Sequence, residues 1–106
     1  MILATCENIA GKRIVKTIGL VKGNTVRARH IGRDIAAAFR AVVGGEVNEY
    51  TKLIAESREQ SIDRMIEDAR SRGANAIVMI RFGTSALMSG AAELLAYGTA
   101  VVVKDE

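Results

Sequence analysis

The sequence of 106 residues contains no proline and no tryptophan, a single cysteine, a single histidine, and four aromatic residues in all (two Tyr, two Phe). One cysteine excludes a disulfide framework within the chain. One cysteine with one histidine excludes a zinc finger or a multi-histidine metal cage built by one copy. No GxxxxGK[ST], GxGxxG or HExxH is present, so the common phosphate, dinucleotide and zinc-protease motifs are absent. Met1 to Glu7 has neither a basic leader nor a long apolar stretch, and the longest uncharged runs, Phe82 to Ala92 and Leu94 to Val103, are far shorter than the ~20 residues of a spanning helix. These absences point away from the membrane and to a cytoplasmic home with Cys6 as a free thiol. What is present is ordinary for one folded unit: 49% apolar residues, 25% charged and a net charge of +3, which implies a single domain over residues 1–106.

Glycine does the punctuating. Met1 to Thr5 reads as a short strand, Glu7 to Lys12 as a loop, and Arg13 to Val21 as a β-branched strand. Lys22-Gly23-Asn24-Thr25 has the composition of a turn, because Gly and Asn tolerate positive φ. From about Ile31 the apolar period becomes helical (Ile31, Ile35, Phe39, Val42, Val43), and Gly44-Gly45 supplies a stop. A second helix is expected from about Asn48 to Arg72, with Tyr50, Leu53, Ile54, Ser57, Ser61, Ile62, Met65, Ile66 and Ala69 on its inner face and Gly73 as its cap. Two strands follow, about Ala76 to Gly83 and Ala92 to Val103, joined by a wide hairpin from Thr84 to Gly90. The order ββααββ predicts an α+β domain with two helices on one face of an antiparallel-rich sheet.

The last two strands carry more apolar surface than one helical layer covers. Ala76, Val78, Ile80 and Phe82 would face one way, yet Ile77 and Met79 make the other side apolar as well. Leu94, Ala96, Ala100 and Val102 oppose Leu95, Tyr97, Val101 and Val103 in the same manner. A sheet covered on one face should alternate apolar with polar. Leaving the second face wet forgoes roughly 1.5–3 kcal/mol for each large aliphatic side chain. Self-association through the sheet, in a closed ring, is the economical expectation.

Candidate chemistry is sparse. Cys6, just after the first strand, is a soft ligand that copies of the chain could pool into a multi-thiol metal site; the simpler reading is a small residue at a strand end. His30, at the approach to the first helix, is the other soft ligand, or an anion-binding or hydrogen-bonding group at the helix start. Glu59, Asp63 and Glu67 form an acidic i, i+4 ladder, while Arg64–Asp68 and Asp68–Arg72 are spaced as helical ion pairs. Residues 1–45 hold eight Lys/Arg against two acids, and residues 46–106 seven against ten. The basic half offers Lys22, Arg27, Arg29 and Arg33 to nucleic acid or a phosphoanion. No aromatic residue interleaves with them as a stacking platform, which argues against nucleic acid as a partner, and contact between oppositely charged copies explains the asymmetry equally well. No nucleophile–base–orienter set can be named, so a non-enzymatic role is expected.

From Gly19 to Lys104 the sequence resembles the YbjQ-like family, small bacterial and archaeal proteins labelled "putative heavy-metal-binding". The resemblance is carried by Gly19-Leu20-Val21 with Gly23, Arg33-Asp34, Phe39-Arg40, Val43-Gly44-Gly45-Glu46 with Tyr50, and Ala55 to Arg58. Ala69-Arg70, Gly73-Ala74-Asn75-Ala76-Ile77-Val78 and Gly98-Thr99-Ala100-Val101 complete it. It implies a dodecin-like α+β subunit assembled as a homopentamer and says little about activity. The surplus apolar surface together with the family label leads to the expectation of a small ligand or soft heavy-metal ion bound at subunit junctions or along the axis. Where many relatives are acidic after the Ala-Ile-Val strand, this chain reads Met79-Ile80-Arg81-Phe82-Gly83. The loss of carboxylates there leaves Cys6 and His30 as the soft ligands to consider.

Overall fold

Strands from both halves of the chain meet in one sheet. The computed structural model describes residues 1–27, 48–86 and 92–106. They form β1 (Ile2–Leu3), β2 (Lys12–Arg27), α1 (Asn48–Ser71), β3 (Ala76–Ala86) and β4 (Ala92–Asp105). The sheet order is β1-β3-β4-β2, with β1 parallel to β3 and the other two pairings antiparallel. This is the expected α+β class with a mixed, mainly antiparallel sheet and one helix among the described residues. The earlier helix expected from Ile31 lies outside them, as does the hairpin tip from Leu87 to Ala91.

The turn expected at Lys22 to Thr25 is a correction: β2 runs through it without a break, pairing with Tyr97 back to Leu94. Gly23 serves close approach here. A Cβ at that position would lie 2.2 Å from the Ser61 carbonyl oxygen and 2.3 Å from the Met65 nitrogen. The helix therefore rests directly on the strand's backbone. Ser61 Oγ reaches across to the Leu94 carbonyl (2.9 Å) and Thr25 Oγ1 to the Ser57 carbonyl (3.1 Å), so both buried hydroxyls are satisfied.

The second correction concerns β3. Its pairing to β4 steps from Val78↔Thr99 to Arg81↔Tyr97, so one extra residue is inserted, and Met79 adopts φ 57°. Such a bulge resets the alternation of side chains. Ile77 and Ile80 both face α1 and pack with Val21, Met65, Ala69, Ala96 and Ala100. Ala76 and Val78 pack on the opposite face with Val101 and Val103. The single apolar face expected of Ala76, Val78, Ile80 and Phe82 is thus split between the two sides. β4 alternates as its sequence predicts. β1 is shorter than expected, and β3 and β4 extend to Ala86 and Asp105, where Thr84, Ser85 and Ala86 pair with Leu94, Glu93 and Ala92.

The back face is also partly covered by the chain itself, which the sequence reading did not anticipate. Ala4 and Ile9 pack over Ala76, Val78, Val101 and Val103. Ala4 N–H donates to the Ile77 carbonyl (2.9 Å), and its own carbonyl accepts from Ile80 N–H (3.1 Å). Beyond that cover, Leu20 (60% exposed), Val26 (51%) and Tyr97 (36%) remain in solvent.

Helix α1 buries Ser57, Ser61, Met65 and Ala69, four of the positions expected on its inner face. It ends as predicted at Gly73 (φ 84°), with Ala74 N–H closing back on the Ala69 carbonyl (3.1 Å) and Gly73 N–H on that of Arg70 (3.0 Å). At the far end of the sheet Lys12 Nζ is paired with Asp105. The Lys12 hydrogen bond, and then its charge, hold the Asp105 carboxyl below the ordinary 3.8. A depressed carboxylate stabilises the fold above its unfolded pKa and stops doing so as pH falls through the folded one. Asp105→Asn should therefore narrow the difference in urea midpoint between pH 5 and pH 2.5, by a small amount because the pair is exposed and salt-screened. An unchanged difference would show that the pair contributes nothing.

Candidate functional site

The soft-ligand candidate is built on the bend between β1 and β2. Three hydrogen bonds hold it against the β3 bulge: Ile80 N–H to the Ala4 carbonyl, Met79 N–H to the Cys6 carbonyl (3.0 Å) and Arg81 Nη1 to the Thr5 carbonyl (2.8 Å). Cys6 is exposed, and its thiol donates to the Asn8 carbonyl at 3.0 Å. That partner is a carbonyl oxygen and cannot take a proton as a general base. The thiol is thus presented to solvent on a bend that is tied down at its backbone.

Met79, itself 40% exposed, is bonded through its backbone to this bend. It brings a thioether, a second soft sulfur donor, to the same margin of the sheet. The sequence reading counts Met79 with Ile77 in the surplus apolar face of the strand and does not consider it as a ligand. Only the bulge and its left-handed φ, which a non-glycine residue adopts at a cost of roughly 1–2 kcal/mol, turn it outward.

His30, Arg29 and Arg33 lie outside the described residues. Lys22 and Arg27 are both on β2, five residues apart, a separation of about 17 Å along a strand. Glu59, Asp63 and Glu67 are exposed along α1, and Glu67 is paired with Arg70 at 3.4 Å. Among the described residues no three His, Cys, Asp or Glu side chains converge as a metal site, and no helix is long and apolar enough to cross a membrane. A small depression of about 180 Å³ lies between the β1 end and α1, lined by Leu3, Ala4, Thr5, Ile62, Met65, Ile80 and Phe82. Its walls are almost wholly hydrocarbon and offer little to a charged ligand.

Comparison with known proteins bears on these features. A family model described as "Putative heavy-metal-binding" matches residues 1–104. A UPF0145 protein of Dehalococcoides mccartyi is 55% identical over 104 residues, spanning 98% of this chain and 100% of that protein. A UPF0145 protein of Methanosarcina acetivorans is 55% identical over 103 residues, spanning 97% of each. A crystal structure from Pediococcus pentosaceus, of a protein with unknown function in the DUF74 family, superposes with a TM-score of 0.56 over 98% of both chains. Its identity is 16%, so that likeness shows the fold alone.

Proposed function

Because the chain belongs to the YbjQ family described as "Putative heavy-metal-binding", we propose that it is a non-enzymatic protein that assembles with copies of itself and holds a soft heavy-metal ion at subunit junctions through pooled Cys6 thiolates. The observation that carries this is the exposed Cys6 thiol on a bend anchored by backbone hydrogen bonds. Soft ions favour several sulfur ligands, and one chain supplies a single thiolate and the thioether of Met79, whose backbone is bonded to the same bend. Symmetry multiplies both. A five-membered ring, the assembly implied by the resemblance, would bring five thiols to equivalent positions around one axis.

Two features support self-assembly. The protein extends 54 × 25 × 17 Å with a radius of gyration of 17.2 Å, against about 13 Å for a compact domain of this length. The back face leaves Leu20, Val26 and Tyr97 in water, surface that a neighbouring copy would cover.

Native mass spectrometry of protein purified without a metal-affinity tag tests both halves. The expected result is a multiple of 11.3 kDa that takes up mercuric or silver ion in proportion to its subunits and loses that uptake in Cys6→Ala. A single-chain mass at micromolar concentration would overturn assembly. Undiminished uptake by Cys6→Ala would overturn the thiolate site.

A further inference from the structure

The outer edge of β2 is the long open edge of the sheet, because no strand lies beside it among the described residues. Its central stretch is nevertheless hydrogen-bonded, by side chains of α1. Arg72 Nη1 donates to the Leu20 carbonyl (3.2 Å), Lys22 N–H donates to Asp68 Oδ2 (3.2 Å), and Arg64 Nη1 donates to the Asn24 carbonyl. Asp68 uses its other oxygen to hold Arg72 Nε at 3.1 Å. Two of the three rungs are thus braced against each other.

The spacing explains why three rungs fit. Residues four apart on a helix advance about 6 Å, and residues two apart on a strand advance about 6.7 Å. Arg64, Asp68 and Arg72 therefore stay in step with Asn24, Lys22 and Leu20 for two intervals. The chemistry alternates correctly too. In an antiparallel ladder alternate residues turn both backbone groups outward, and the guanidinium groups meet outward carbonyls while the carboxylate meets an outward N–H.

We infer that this ladder is an edge guard: it occupies one outward backbone group on each of Leu20, Lys22 and Asn24, every second residue of the stretch, and lays helix side chains along it, so that a second strand cannot add to β2 there. Open edges invite uncontrolled strand addition, and natural sheets blunt them with charge or cover. This ladder supplies both. The two register shifts earlier in β2, at Val15 and Ile18, disrupt the rest of the edge in another recognised way. The inference goes beyond the proposed assembly and excludes one route to it: copies meet through the sheet's back face or its other margin, and the β2 edge is closed to them.

The test is the full-length triple variant Arg64→Ala/Asp68→Ala/Arg72→Ala, compared with Arg64→Gln/Asp68→Asn/Arg72→Gln, which removes the charges but keeps hydrogen-bonding groups in place. Native mass spectrometry and light scattering over a hundredfold concentration range should show the alanine variant growing into heterogeneous larger species. The amide variant should keep the wild-type mass. Lys22 amide exchange should quicken by about tenfold or more when Asp68 alone becomes alanine, a readout that survives if the triple variant fails to fold. A folded alanine variant with the wild-type mass distribution, or Lys22 exchange unmoved by Asp68→Ala, would overturn the guard. Wild-type protein that is a single chain, beside an alanine variant that associates, would sustain the guard while removing the proposed assembly.

Discussion

Gly23→Val is expected to destabilise the fold by about 3 kcal/mol, the upper end of what over-packing ordinarily costs. The reason is the identity of the atoms it would strike. A Cβ there falls 2.2 Å from the Ser61 carbonyl oxygen and 2.3 Å from the Met65 nitrogen, and both are helix backbone that no rotamer change can move aside. The helix must lift. Lifting it parts Ser61 from the Leu94 carbonyl and Thr25 from Ser57, leaving buried hydroxyls and carbonyls unpaired. Thermal unfolding followed by circular dichroism should fall by about 12–24 °C at matched protein concentration, given roughly 4–8 °C per kcal/mol for a domain of this size. Gly83→Ala is the control: nothing lies within 4 Å of its added Cβ and its φ is not positive, so stability should stay within about ±0.5 kcal/mol. A loss below about 1 kcal/mol at Gly23 would mean that the helix does not rest on that strand.

That one residue also shows where sequence reading ends. Lys22-Gly23-Asn24-Thr25 has turn composition, and local composition is all that a sequence offers at that scale. Whether a glycine is there for its freedom in φ or for its missing side chain depends on a helix that begins more than twenty residues later. Most of the inner face of α1 was legible because its period of 3.6 survives any partner: Ser57, Ser61, Met65 and Ala69 are buried as their spacing requires, while Ile54, expected with them, is exposed. Gly73 as its cap was legible for the same local reason. The faces of β4 could be read off alternation, and those of β3 could not, because a single inserted residue at Met79 exchanges the two sides beyond it. Cys6 stood out by being alone. Met79 did not: alternation set it on one face with Ile77, and nothing in the run of apolar residues shows that Ile77 is buried while Met79 is exposed. The cover over Ala76, Val78, Val101 and Val103 came from Ala4 and Ile9, residues too small or too isolated to be picked out as a lid. This lid reduces the surplus of apolar sheet, and Leu20, Val26 and Tyr97 are among the large apolar residues still exposed.

That remainder makes the second large expectation specific. Leu20→Asp combined with Tyr97→Asp should convert the proposed assembly into single chains of 11.3 kDa while leaving the fold intact. Leu20 pairs with Thr99 and Tyr97 with Lys22 in the β2–β4 ladder, so the two side chains share the back face beyond the cover of Ala4 and Ile9. In an isolated chain Leu20 is already 60% exposed and Tyr97 36%. Surface substitutions like that at Leu20 usually move stability by no more than about 0.5 kcal/mol, and the Tyr97 change should cost somewhat more. Against a neighbouring copy the same carboxylates would be buried without partners, at a cost of several kcal/mol each. Every 1.4 kcal/mol is a tenfold loss of affinity, so even 3 kcal/mol per junction weakens each contact by more than a hundredfold. Light scattering and far-ultraviolet circular dichroism on the same sample separate the outcomes. A lower mass with unchanged ellipticity places the junction on this face. An unchanged mass with unchanged ellipticity would move it to the opposite margin of the sheet, since the hydrogen-bonded β2 edge is closed to a second strand.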